Sequence, residues 1–193
     1  MHKLVVLASG SGSNFQAIID AIDHGDINAQ IVGLISNKPG IGAISRAEKH
    51  LIPVKIISPE NPLFFHEELL NTLRNWDPDL IVLAGFLKKI PDGVIKAFAG
   101  KIINIHPSLL PKYGGKGFYG KRVHQAVLTA KETETGCTVH LVNEKYDEGA
   151  IIEQVVVPVL PSDDADSLAE RVLEQEHKLL PKIINKLLTD KNN

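Results

Sequence analysis

The chain has one cysteine, one methionine and one tryptophan in 193 residues, and aromatics make up only 5%. A single thiol, Cys137, forms neither an intrachain disulfide nor a zinc cage, so a reducing cytoplasm is the expected setting. The longest apolar stretches, such as Leu80–Ala84, are strand-sized, and no membrane span is expected. Met1-His2-Lys3 leads straight into Leu4-Val5-Val6-Leu7, without the basic n-region, long apolar h-region and cleavage site of a signal peptide. Net charge is also scarce: 21 Lys and Arg against 23 Asp and Glu give −2, which argues against general nucleic-acid binding. The eight histidines are not clustered as metal ligands, so no metal is expected. Neither a G-x-S-x-G elbow nor a Cys–His nucleophile arrangement occurs. What is present, 44% hydrophobic and 23% charged residues, suits one globular domain across residues 1–193.

Charge is unevenly placed. Lys88, Lys89, Lys96, Lys101, Lys112, Lys116, Lys121 and Arg122 face a single acid, Asp92, over that stretch. From Glu132 onward thirteen acids outnumber six bases. Two solvated faces would account for this, and so would a basic patch that gathers a small anionic ligand.

Five short apolar runs, Leu4–Ala8, Ile31–Ser36, Val54–Ile57, Leu80–Ala84 and Ile102–Ile105, predict strands. Helix-period segments separate them: Phe15–Asp23, Ile44–His50, Pro62–Asn75 and Pro91–Phe98. Apolar strands alternating with helices predict an α/β domain with a parallel sheet. The second half predicts a helix near Val123–Ala130, a hairpin of Cys137–Val142 with Ile151–Val157, and a long amphipathic helix from Ala165 to about Leu188. Pro181 predicts a kink or break in that last helix.

Three motifs carry chemistry. Gly10, Ser11, Gly12, Ser13 and Asn14 lie between the first strand and helix, where backbone N–H groups and a helix N-terminus favour an anion. A tight turn with a Ser or Asn cap would read the same way. Phe15 replaces the third glycine of a dinucleotide fingerprint, so a single phosphate monoester fits better. Asn104 and His106 alternate onto one side of the fifth strand at its carboxyl end, an amide donor beside an imidazole, as a developing oxyanion requires. Asp147, in Tyr146-Asp147-Glu148-Gly149, is either a hairpin-turn residue or, if folding brings it to His106, a carboxylate that orients the ring.

Asn104-Ile105-His106-Pro107-Ser108-Leu109-Leu110-Pro111, with Leu83-Ala84-Gly85-Phe86, Thr138-Val139-His140 and Asp147-Glu148-Gly149, resembles the folate-dependent formyltransferase family. The Gly-Ser-Gly-Ser-Asn turn and Gln175-Glu176-His177 resemble its branch acting on glycinamide ribonucleotide. The resemblance implies a Rossmann-like formyltransferase fold, parallel in the N-terminal half and mixed in the C-terminal half, with helices on both faces. Residues 1–106 then form a phosphate-binding half, and 107–193 carry folate-site loops, a hairpin and the last helix. It implies transfer of the formyl group of 10-formyltetrahydrofolate, a co-substrate, to the glycinamide amine in purine biosynthesis, by direct attack through a tetrahedral intermediate. The catalytic residues it implies are Asn104, His106 and Asp147, with Asp147 holding His106 charged. Gly10 to Asn14 and Glu176 would meet the ribonucleotide. Leu87, Lys88, Lys89, Ile90, Asn104, Asn143 and Asp147 would bind the folate. The partners implied are these small molecules, for a monomer or homodimer. Leu110-Pro111 would be cis, and Glu60-Asn61-Pro62-Leu63 lacks an arginine that some relatives present to the folate side, a charge the basic stretch could replace. A formyltetrahydrofolate hydrolase and a non-catalytic phosphosugar-binding module are the alternatives.

Overall fold

Apolar runs short enough for strands, separated by amphipathic helices, bury both faces of a sheet only when helices cover each side. The computed structural model, which describes residues 1–190, meets that demand with β1 (His2–Ala8), α1 (Ser13–Asp23), β2 (Ala29–Ser36), α2 (Gly42–Lys49), β3 (Val54–Ile56), α3 (Pro62–Trp76), β4 (Leu80–Leu83), α4 (Asp92–Ala97), β5 (Ile102–His106), α5 (Lys121–Thr129), β6 (Glu134–Leu141), β7 (Ile151–Pro158) and α6 (Ala165–Thr189). One seven-stranded sheet has the order β3-β2-β1-β4-β5-β6-β7. The first five strands are parallel; β6 and β7 run antiparallel.

Phe15 and Ile18 of α1 pack with Val172, Leu179 and Leu180 of α6 on one face of the sheet. Phe65, Leu69 and Leu73 of α3 pack with Val94 and Ile95 of α4 on the other. Local sequence fixes the helix ends. Asn61 caps α3 by accepting from the Leu63 and Phe64 N–H groups, and Asp77 ends it at φ 47° before Pro78. Among the described residues no helix is long and apolar enough to cross a membrane.

Two expectations change. Helix α6 runs through Pro181 without a break. The proline removes one backbone bond, but its neighbours Leu179, Leu180, Ile183 and Ile184 are all buried in the core and keep the helix continuous across it. Strand β6 begins at Glu134, three residues before the apolar run, because Glu134, Thr135 and Gly136 pair with Pro158, Val157 and Val156.

The lone tryptophan packs at the end of α3 against β2. A Cβ added at Gly33 would stand 2.3 Å from the Trp76 ring. Gly33→Ala should therefore lower stability by about 1–3 kcal/mol through overpacking. Urea unfolding followed by Trp76 fluorescence measures it; an unchanged midpoint would contradict the contact.

Candidate active site

In open α/β sheets, ligands bind beyond the carboxyl ends of the strands where strand order reverses. Here β1 lies between β2 and β4, and the turns leaving β1, β4 and β5 face one cleft of about 900 Å³. Ser11, Ser13, Asn14 and Glu176 line one part of it; Asn104, His106 and Asp147 line another. A smaller pocket of about 70 Å³ adjoins it, with walls from Leu83, Phe86, Ile90, Ile95 and Val142. Asn104 and Asp147 border both spaces.

Folding brings the proposed residues together. Gly12, at φ 76° and ψ 29°, is the N-cap of α1, and no side chain caps that end. Its left-handed backbone turns successive N–H groups toward one side, as an anion nest requires. Lys88, Lys89, Ile90 and Asn143 border the smaller pocket; Leu87 and Lys88 border the larger one. Asn143 donates to the Glu148 carbonyl and accepts from the Lys145 N–H, which shapes the loop around Asp147. Much of the basic stretch is paired: Lys89 with Asp92, Lys112 with Glu132, and Lys121 with Asp166. The Leu110-Pro111 bond is cis.

The centre of the site is a buried cluster of polar side chains. Asp147 Oδ2 accepts the Gly115 N–H at 2.8 Å and stands 3.7 Å from His106 Nδ1. Its Oδ1 lies 3.6 Å from His140 Nε2. His140 Nδ1 faces the Leu141 carbonyl at 2.8 Å and so carries a proton, which leaves Nε2 to accept from Asn104 Nδ2 at 3.1 Å in the neutral ring. His106 Nε2 donates to the Tyr113 carbonyl at 2.8 Å. His140 is the residue that reading the motifs for chemistry missed. Its signal was the alternation of Thr138 and His140 on a strand able to pair with Asn104 and His106.

Electrostatics corrects one expectation. Burial pushes the His106 pKa below its ordinary value, and this outweighs the opposing pull of Asp147 and the Tyr113 carbonyl, so the ring is neutral in the free protein rather than held charged. Burial raises the Asp147 carboxyl, but the His140 and His106 imidazoles beside it and the Gly115 N–H together bring it below the usual carboxylate range. At the other end of the cleft burial dominates: Glu176, 6% exposed and bonded to Asn14 Nδ2 at 2.6 Å, is pushed up to about 7. His124, also on the cleft wall, is lowered to about 4 by burial and by His106, and its Nδ1 is buried without a partner. Cys137 is buried, its thiol pushed up to about 12, and is inert as a nucleophile.

Two outcomes follow from these shifts. A carboxyl whose folded pKa is raised loses stability as pH climbs from its unfolded value toward the folded one. Glu176→Gln should thus gain stability relative to the parent between about pH 5 and 8, by on the order of 1–3 kcal/mol, with no gain near pH 4; paired urea melts across that range measure it. Asp147 raises the His106 pKa, so Asp147→Asn should move the His106 ring titration further below its parental position, as read by NMR. An upward movement would contradict the arrangement.

Similarity to known proteins agrees with this geometry. Residues 2–184 match the family model described as formyl transferase. The chloroplastic phosphoribosylglycinamide formyltransferase of Vigna unguiculata is 42% identical over 192 residues, 98% of this chain and 62% of that protein. The chain thus spans less than two thirds of that relative's length. The phosphoribosylglycinamide formyltransferase of Haemophilus influenzae is 42% identical over 187 residues, 95% of this chain and 86% of the relative. The crystal structure of glycinamide ribonucleotide transformylase 1 from Geobacillus kaustophilus superposes with a TM-score of 0.90 at 40% identity, covering 97% of this chain and 99% of the other. Sequence, fold and cleft agree, and the chain belongs to the formyl transferase family.

Proposed function

We propose that this protein transfers the formyl group of 10-formyltetrahydrofolate to the glycinamide amine of glycinamide ribonucleotide, as a cytoplasmic step of purine biosynthesis. One arrangement carries this reading. A cleft runs from the Ser11–Asn14 turn to Asn104, His106 and Asp147, and an apolar pocket opens on the same Asn104 and Asp147. Two substrates in these spaces would meet at those side chains. Opening off the larger cleft, the smaller pocket adds apolar walls from Leu83, Phe86, Ile90 and Val142 and polar groups along 88–90 and 143–147, a lining that suits a flat heterocycle seated across the two spaces. In this reading residues 1–106 hold the phosphate, and 107–193 supply the loops beside the folate and Glu176 at the sugar.

The formyl group carried on N10 of the folate supplies the electrophilic carbon. Asn104 Nδ2–H and His106 Nε2–H are the donors for the oxygen that gains charge as the amine attacks. A neutral His106 still has that Nε2–H; it now points at the Tyr113 carbonyl, the acceptor an oxyanion would replace. The developing charge also favours protonation of His106 at Nδ1, beside the ionised Asp147. Asp147 takes up the proton leaving the amine and, with a water, returns it to the departing nitrogen. Alignment of the two substrates contributes up to roughly 7–11 kcal/mol, more than any single donor.

The test is a folate absorbance assay with and without glycinamide ribonucleotide. His106→Ala and Asp147→Asn should each lower kcat by about 10²–10³-fold, with KM values changed only a few-fold. Near-parental turnover in both would remove the assigned roles. Formate release without the ribonucleotide would indicate a hydrolase, and binding without turnover a phosphosugar-binding module.

A further inference from the structure

Arg46, on α2, lies outside every motif considered so far, yet it bonds directly to the turn that holds the phosphate in the reading above. Its Nε–H donates to the Ser11 carbonyl at 3.0 Å, and its Nη1 donates to Gln16 Oε1 at 3.0 Å. Gln16 in turn donates to Asp20 at 2.8 Å, so the guanidinium ties α2 to both the turn and α1.

A trans peptide points its C=O and its N–H in opposite directions. The Gly10 carbonyl accepts the Ala43 N–H at 3.2 Å, and the Ser11 carbonyl accepts Arg46. Both carbonyls are therefore held toward α2, and the N–H groups of Ser11 and Gly12 are turned the other way. Among the described residues, the backbone N–H groups of Ser11, Gly12, Ser13 and Asn14 have no acceptor. Asn14, 9% exposed and lining the cleft, also has its Oδ1 unpartnered. Contact between turn and helix leaves no slack: a Cβ at Gly42 would stand 2.7 Å from the Ser11 carbonyl oxygen, and one at Gly12 would stand 2.7 Å from Ala43 Cα.

We infer that Arg46 is a positioning residue for phosphate recognition, locking the Ser11–Gly12 peptide so that the four free N–H groups converge on a phosphate monoester. The inference rests on the phosphate reading of the turn. Lysine keeps the charge but cannot bridge Ser11 and Gln16 with a planar fork.

Inorganic phosphate titrated into the ¹⁵N-labelled full chain should shift the Ser11–Asn14 amide signals. In Arg46→Met the affinity should fall by about ten-fold or more, the worth of one charge-assisted hydrogen bond, and Arg46→Lys should recover only part of it. In turnover, both variants should raise KM for glycinamide ribonucleotide, leave kcat and the folate KM near parental values, and leave the rate with the phosphate-free glycinamide riboside unchanged. Absence of amide shifts in the parent would overturn the phosphate reading and the inference with it. Equal shifts in parent and Arg46→Met, full recovery by lysine, or equal losses on ribonucleotide and riboside would overturn the role of Arg46 alone.

Discussion

Antiparallel pairing of β6 on β5 sets which polar side chains meet, because its register places Asn104 opposite His140 and His106 opposite Thr138. A slip of one residue would send His140 to the other face and strip Asn104 of its acceptor. Thr138 serves the same register two residues before His140. Its hydroxyl donates to the Ser108 carbonyl at 2.6 Å and accepts from the Leu110 N–H and from Gln154 Nε2. The chain leaving His106 is thereby fastened to the neighbouring strands, and the β6–β7 hairpin returns Asp147 to both histidines. A parallel neighbour would reach β5 through a crossover and could not deliver a tight loop at this edge.

Within one cleft, two carboxyl groups are driven in opposite directions by their neighbours. Asp147 has two imidazoles and a backbone N–H around it, enough to overcome burial and keep it ionised. Glu176 has the Asn14 amide alone against deeper burial and is pushed up to about 7. In the proposed reading the charged group thus stands where a proton must be accepted. The group near neutrality stands where, in the proposed reading, sugar hydroxyls need a partner able to donate or accept. His106 follows the same logic: desolvation wins over Asp147 at rest, and a negative charge arriving in the cleft would shift that balance toward protonation.

The centre of the parallel half was legible in the sequence because β1 and β4 are buried on both faces and read as unbroken apolar runs; β1 is fully buried from Leu4 to Ala8 and β4 from Leu80 to Leu83. The start of β6 was not, since Glu134 joins the sheet through backbone pairing with Pro158 rather than through an apolar side chain. Proline at 181 does not break the helix for a related reason: local propensity is a weak prior once four neighbouring apolar residues are buried. Of the site, the Gly10–Asn14 turn and the Asn104/His106 pair were visible from their spacing, whereas Asp147 was open to a hairpin-turn reading and Glu176 was reached only through the family resemblance. The neutral state of His106 and the partners His140 and Arg46 were not. Burial and contacts across 36 positions, as between Asn104 and His140, or 35, as between Arg46 and Ser11, exist only in the folded chain.

Placement of Glu176 shows how a distant segment acquires the precision that a cleft requires. Its helix, α6, is fixed at its start by a capping box between Asp164 and Ser167, and by Arg171, which grips both oxygens of Asp163 at 2.6 and 2.7 Å. Beyond Glu176 the same helix buries Leu179, Leu180, Ile183, Ile184 and Leu188 in the core. Glu176 therefore sits between a clamped end and a packed end, and its reach to Asn14, 162 positions away, is set by rigid packing rather than by a loop. Continuity through Pro181 matters for that reason: a break there would separate the packed turns from those that carry Glu176 and let the carboxyl drift from Asn14.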